Sequence, residues 1–180
     1  MSQETTRPIL KTVQQPRIEK VVVNLCTGQA GEPLQKARTV LESVTGHKAC
    51  QRRAKRTVRE WEIRKGEPIA VMVTLRKDDA NAFLKRAVYA LGNRLKKSSF
   101  DGQGNFAFGI REHIELPGVR YDPNIGIFGM DVCVTMKKTG YRVKRRRKLK
   151  SEVGKAQRIT PEESMAYVKE LFGREIVDLG

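Results

Sequence analysis

Residues that carry covalent or metal chemistry are scarce in this chain. Three cysteines and two histidines are spread through 180 residues. Cys26, Cys50 and Cys133 form no CxxC pair and are odd in number, which argues against a disulfide framework and fits a reducing cytosol. His47 and Cys50 have no further ligands at zinc spacing. Neither His47 nor His113 stands beside a nucleophile signature. Gly102-x-Gly104 with Gly109 matches a phosphate loop only in its glycines; it leads into a strand, no GK[ST] follows, and turn formation explains it. Asp78-Asp79 suits a helix cap and Asp131 is isolated, so no divalent-metal cluster is expected. The chain is therefore expected not to be an enzyme and to hold no metal or other cofactor.

Long apolar runs are missing too. None approaches the roughly 20 residues of a spanning helix, and the polar start Ser2–Thr6 argues against a signal peptide. No membrane partner is expected. Aromatics make up 6% of the chain, too few for a base-stacking platform, and no helix-turn-helix or zinc-finger spacing occurs.

What the chain does have is positive charge, in two places. Residues 47–65 hold eight Lys/Arg against Glu60 and Glu62; residues 137–158 hold eleven against Glu152. Removing these nineteen cations and three carboxylates from the totals of 36 and 20 leaves 17 of each, so the net +16 is local. Concentrated cations on a balanced body imply a polyanionic partner, nucleic acid first. Arg predominates in Arg52-Arg53-Ala54-Lys55-Arg56 and Arg145-Arg146-Arg147, and guanidinium matches phosphate through two parallel hydrogen bonds. Shape and backbone recognition of folded RNA fits best, with Trp61 and Tyr141 as the available stacking rings. Trp61 suits a core position equally well. The crowded cations of Lys144–Lys148 repel one another, so that segment is expected to order only when phosphates neutralise it. It carries no evident core residue, so replacing Arg145, Arg146 and Arg147 is expected to leave the body folded.

Periodicity sets out the elements. Residues 1–16 read as an irregular leader, and Ile18–Leu25 as a β-branched strand. Pro33 opens a helix with Leu34, Ala37, Leu41 and Val44 on its stripe, stopped by Gly46. Lys48–Arg56 reads as a loop or extended arm, and Thr57–Arg76 as a hairpin with Trp61 and Ile63 on its first strand and Ile69, Val71, Val73 and Leu75 on its second. Asp78 or Asp79 caps a second helix with Phe83, Leu84, Ala87, Val88, Leu91 and Leu95 inward. Phe106, Phe108 and Ile110 mark a fourth strand; residues 117–128 form a long loop before a fifth strand carrying Met130, Val132, Val134 and Met136. Thr160-Pro161-Glu162-Glu163 is a capping box opening a last helix that bears Met165, Val168, Leu171 and Phe172 and ends at Gly173. The order β-α-β-β-α-β-β-α predicts a single α+β domain, 1–180: a mixed, mostly antiparallel sheet of about five strands with helices packed on one face.

Several ordered blocks then resemble one family, the universal large-subunit ribosomal protein five, in its archaeal and eukaryotic branch. They are Arg17-Ile-Glu-Lys-Val-Val-Val-Asn24, Thr45-Gly46-His47-Lys48, Glu62-Ile-Arg-Lys-Gly-Glu-Pro-Ile69 with Val73-Thr-Leu-Arg76, the Phe83-Leu84 helix, Phe100 through Glu112, and Phe128-Gly-Met-Asp131. The resemblance runs from Pro16 to about Phe172. It implies an RNA-binding α+β fold in the ribosome's central protuberance, and so a cytoplasmic location. The implied partners are 5S rRNA, large-subunit rRNA, P-site tRNA, small-subunit ribosomal protein thirteen in an inter-subunit bridge, and neighbouring 5S-associated ribosomal proteins.

Carried over by motif, the expected rRNA-facing residues are Asn24, Thr45, Gly46, His47, Lys48, Arg52, Arg53, Lys55 and Arg56. The loop expected to reach tRNA matches Thr57 to Arg64, with Thr57, Arg59, Arg64 and Lys65 as its contacts. Arg142, Lys144, Arg145, Arg146, Arg147 and Lys148, within the insert 137–158 before the last helix, are assigned to rRNA on charge alone. A free-standing RNA chaperone and a nucleic-acid-modifying enzyme are the alternative classes; sedimentation with large subunits and cofactor titration separate them.

Overall fold

The centre of the fold is strand β1 (Arg17–Cys26), paired on both sides. Its β-branched run suits a fully bonded strand: Val21, Val23 and Leu25 are buried, while Val22 and Asn24 are half-buried on the opposite face. The computed structural model describes residues 15–92, 95–172 and 176–177. Most of the expected leader 1–16, and Gly173, therefore lie outside the described residues.

Helix α1 (Glu32–Thr45) starts with Pro33 in its first turn and stops at Gly46, whose φ of 69° is the left-handed cap conformation. Next come β2 (Cys50–Arg53), β3 (Pro68–Leu75) and α2 (Lys77–Ala90). The short strand β4 (Leu95–Lys96), then β5 (Phe106–Ile110), β6 (Met130–Lys137) and the single turn α3 (Arg142–Arg145) follow. Helix α4 (Pro161–Phe172) and β7 (Ile176–Val177) are the last elements among the described residues.

The main sheet has strand order β2-β3-β1-β6-β5, and every pairing in it is antiparallel. The parallel component of the expected mixed sheet is only the separate β4–β7 pair. Helices α1, α2 and α4 share one apolar core with the inner face of the sheet, and among the described residues no helix covers its other face.

Three local expectations are corrected. The strand before β3 is Cys50–Arg53, not the Trp61–Ile63 segment. Its register runs from Cys50 opposite Met72 to Arg53 opposite Pro68, while the Trp61 region turns on itself. Alternation over so few residues cannot by itself separate a strand from a tight turn. Helix α2 is capped by Arg76, with Asp78 and Asp79 inside its first turn, where carboxylates still complement the positive end of the helix dipole. That helix ends at Ala90, and Leu95 is buried from β4 instead. The capping box of α4 forms as expected: the Thr160 N–H donates to Glu163 Oε2 at 3.1 Å, and the Glu163 N–H donates to Thr160 Oγ1 at 3.3 Å.

The Phe100–Asn105 block is a structural joint. Asp101 Oδ1 accepts the N–H groups of Gln103 and Asn105, and Ser164 of α4 donates to the Gly104 carbonyl at 2.6 Å. Gly104 sits at φ 73°, and a Cβ there would lie 2.5 Å from Ile159 Cγ2. Glycine is required both by the backbone and by Ile159, which closes the second basic segment. Replacing Gly104 with Ala should cost about 2 kcal/mol, from left-handed strain plus overpacking. Urea unfolding monitored by circular dichroism measures it; an unchanged midpoint would refute the joint.

Candidate nucleic-acid interface

The two basic stretches sit at opposite ends of β1. Arg52 is opposite Ala70, which is opposite Cys26 at the C-terminal end of β1; Lys137 is opposite Arg17 at the other end. At roughly 3.3 Å per residue, the strand puts about 30 Å between them. A single phosphate cannot bridge that distance.

The first stretch is a stem and a tip. Beyond β2, the Ala54 N–H donates to the Glu67 carbonyl and the Gly66 N–H to the Ala54 carbonyl, closing the base. Val58 and Ile63 exchange both backbone hydrogen bonds around a 3₁₀ turn, Arg59–Trp61, and Glu62 takes a left-handed φ of 55°. Thr57 Oγ1 accepts the Lys65 N–H at 3.1 Å, and Glu67 accepts the Arg64 N–H at 2.9 Å. The protrusion is thus internally bonded while its side chains face outward: Lys55, Arg56, Arg59, Arg64 and Lys65 are exposed, and Trp61 is 69% exposed at the tip. An indole held out on a bonded stem is a stacking surface, not a core residue.

The expected contacts Thr45, Gly46 and His47 have local partners. Thr45 donates to the Leu41 carbonyl at 2.6 Å and accepts the His47 N–H; His47 Nε2 lies 3.2 Å from Asp79 of α2. This turn joins two helices at the sheet edge, leaving exposed Lys48 beside Arg52 and Arg53. Asn24 lies on the helix-free face, in one cross-strand row with Cys50, Met72, Asp131 and Gly109. Between the two cationic ends that face mixes polar groups, Lys20, Thr74 and Thr135, with Val22, Met72 and Cys133. Period-two alternation carries the signal for these residues, since they are the partly exposed positions of strands whose other residues are buried.

The second stretch is built onto the body. Lys138, 7% exposed, is bonded to Glu163 and donates to the Arg158 carbonyl, while Ile159 is buried at the far end. Between them Tyr141 Oη accepts the Ile159 N–H at 3.2 Å, and Arg146 Nε donates to the Leu149 carbonyl at 2.6 Å. Arg145 forms a two-point ion pair with Glu19. Glu19 is the extra residue of a β-bulge in β1, and its side chain is only 2% exposed.

Two expectations about this segment therefore change. The segment has intramolecular anchors that charge repulsion alone did not suggest, and Arg145 is not equivalent to its neighbours. Arg142, Lys144, Arg146, Arg147 and Lys148 are exposed and carry no carboxylate partner among the described residues; Arg145 is spent on Glu19. Charge counting could not separate them. The signal available was Glu19 itself, an acid at a buried position of the strongest strand.

Burial pushes the Glu19 carboxyl up, but the hydrogen bond and charge of Arg145, with Lys137 and Lys20 behind them, hold it below its ordinary value. A depressed carboxylate stabilises the fold above its unfolded pKa, and that stability is lost as pH falls through the folded value. Glu19→Gln should accelerate tryptic cleavage after Arg145–Lys148 at neutral pH, and should lose less unfolding free energy than wild type between pH 7 and pH 3.5. Equal cleavage rates would refute the latch.

His113 anchors the long loop. It is buried, its N–H bonds the Phe128 carbonyl at 2.9 Å, and its Nδ1 accepts the Phe128 N–H at 3.3 Å. Burial pushes its imidazole down, which keeps it neutral and able to accept. The loop it clamps exposes Tyr121 and Ile127 and carries little charge.

Comparison with known proteins places the sequence in one family. Residues 12–64 match the family description Ribosomal protein L5, and residues 68–175 match the C-terminus of the same ribosomal family. A large ribosomal subunit protein uL5 of Pyrobaculum aerophilum is 52% identical over 164 residues, covering 91% of this chain and 92% of its own. The counterpart from Sulfurisphaera tokodaii is 49% identical over 97% of each chain, and that from Nitrosopumilus maritimus 46% over 96% of this chain and 98% of its own.

Proposed function

The chain belongs to the ribosomal protein L5 family, whose members are large-subunit ribosomal proteins and not enzymes, and from that premise we propose that it holds 5S rRNA against large-subunit rRNA in the cytoplasmic ribosome. The observation that carries this reading is the separation of two phosphate-seeking surfaces by the length of β1 on an otherwise charge-balanced body. Such a body is a spacer: each end holds a different stretch of RNA, and the sheet sets the distance between them. The mechanism is counterion release and shape fit, with no bond made or broken.

Two further contacts complete the proposal. The bonded stem presenting Arg59 and Trp61 reaches P-site tRNA, with the indole stacking on a base and the flanking cations steering its phosphates. The loop at 117–128, at the same end of the sheet and across about 20 Å of strands, exposes apolar groups instead of cations. It suits a protein partner, which in the assembled ribosome is small-subunit ribosomal protein thirteen. Neighbouring 5S-associated ribosomal proteins complete the surroundings.

Binding to a 5S rRNA transcript should weaken steeply with salt. Six to ten phosphate contacts imply a loss of about 10³–10⁵ in affinity between 50 and 200 mM. A slope near zero in a filter-binding titration would reject the proposal. In reconstituted ribosomes, Trp61→Ala should weaken P-site tRNA about tenfold, within the 1–3 kcal/mol of a base–aromatic stack, while leaving 5S rRNA affinity unchanged. Unaltered tRNA dissociation would remove the tip from the interface.

A further inference from the structure

Between the second basic segment and the Lys137 end of the sheet lies a groove of about 1060 Å³. Its floor is apolar: Met136 and Ile159 are buried, and Tyr141 and Val153 half-buried. Its rim is cationic, with Lys144, Lys150 and Arg158 exposed. Neither lysine ammonium has a partner among the described residues. The carboxylates in its wall are already engaged, Glu19 by Arg145 and Asp101 by the N–H groups of Gln103 and Asn105. At the mouth, Glu152 is 93% exposed and only 3.4 Å from Arg158.

We propose that this groove takes one unpaired ribonucleotide, its base over the Tyr141–Val153 floor and its phosphates on Lys144, Lys150 and Arg158. The inference rests on the RNA-binding reading above and adds a distinct mode to it. Backbone recognition needs cations alone, whereas an apolar floor beneath a cationic rim matches a flat base carrying phosphate. Tyr141 is held in place by the bond from the Ile159 N–H, so the floor is formed before any ligand arrives. The exposed Gln103 amide at the mouth can donate to and accept from a base edge. An acidic peptide would use the same rim, but the adjoining Arg146, Arg147 and Lys148 continue the cationic track past the groove, which suits a regular phosphate backbone.

The test uses the full chain and a 5S rRNA transcript. Gln103→Trp at the mouth and Val153→Trp on the floor fill the groove without changing charge. Each displaces the base from the floor while leaving the rim cations open to the phosphate backbone, so binding should weaken about tenfold with an unchanged salt slope. Lys148→Gln, outside the groove, should instead lower the slope by about 0.7 to 0.9 with a smaller loss. A transcript carrying 4-thiouridine should crosslink to residues 135–158 in wild type and not in the filled variants. Full affinity in both filled variants, or crosslinks confined to the Arg52 side, would overturn the groove while leaving salt-dependent binding intact. Loss of salt-dependent binding in the wild type would overturn the RNA reading itself. Displacement of RNA from the groove by a ten-residue polyglutamate at equal charge concentration would assign it to an acidic peptide and reject the proposal.

Discussion

Pairing of β1 on both edges constrains everything else in the molecule. One face of that strand supplies the centre of the apolar core, with Val21 and Val23 fully buried. The other face carries no helix among the described residues, and each end leads to a cationic segment. Because the central strand is paired with β6 along its length, apart from the bulge at Glu19, and with β3 from Val21 to Cys26, the distance between the two segments is a property of the sheet and not of flexible loops. A protein that spaces two stretches of RNA gains from this arrangement: the order is supplied by folding instead of being lost as entropy on binding.

The second basic segment illustrates how such charge is kept in place. Five clustered cations have no intrinsic reason to adopt one shape, and their mutual repulsion opposes it. The fold overcomes this with contacts at the segment's margins: Lys138 on Glu163, Tyr141 on the Ile159 N–H, Ile159 in the core, and Arg145 on the buried Glu19. One arginine is given up so that the others can face outward. Leaving Glu19 buried without that partner would be costly, since an uncompensated interior charge is among the most destabilising features a fold can contain.

The protrusion at the other end solves the same problem differently. No buried anchor lies near its tip, so order comes from backbone hydrogen bonds across its base and from the Val58–Ile63 exchange. Its alternating apolar residues read as a strand because Trp61 and Ile63 are two apart. The chain uses them in a turn because Glu62 takes a left-handed conformation there and the edge beside β3 is already filled by Cys50–Arg53. A short run cannot declare which neighbour will occupy an edge; only the assembled sheet does.

Long periodic elements were legible from residues alone. The inner stripes of α1 and α2, the alternation of β1, β5 and β6, the Gly46 stop and the capping box of α4 depend on local geometry, which neighbouring residues set. The confinement of positive charge to two stretches was legible for the same reason, since it is a count along the chain. What tertiary structure alone decided is which of those charges are available, how far apart they stand, and that Trp61 faces solvent. Those outcomes depend on partners distant in sequence, such as Glu19 with Arg145 across 126 residues, and such pairings exist only once the sheet has closed around them.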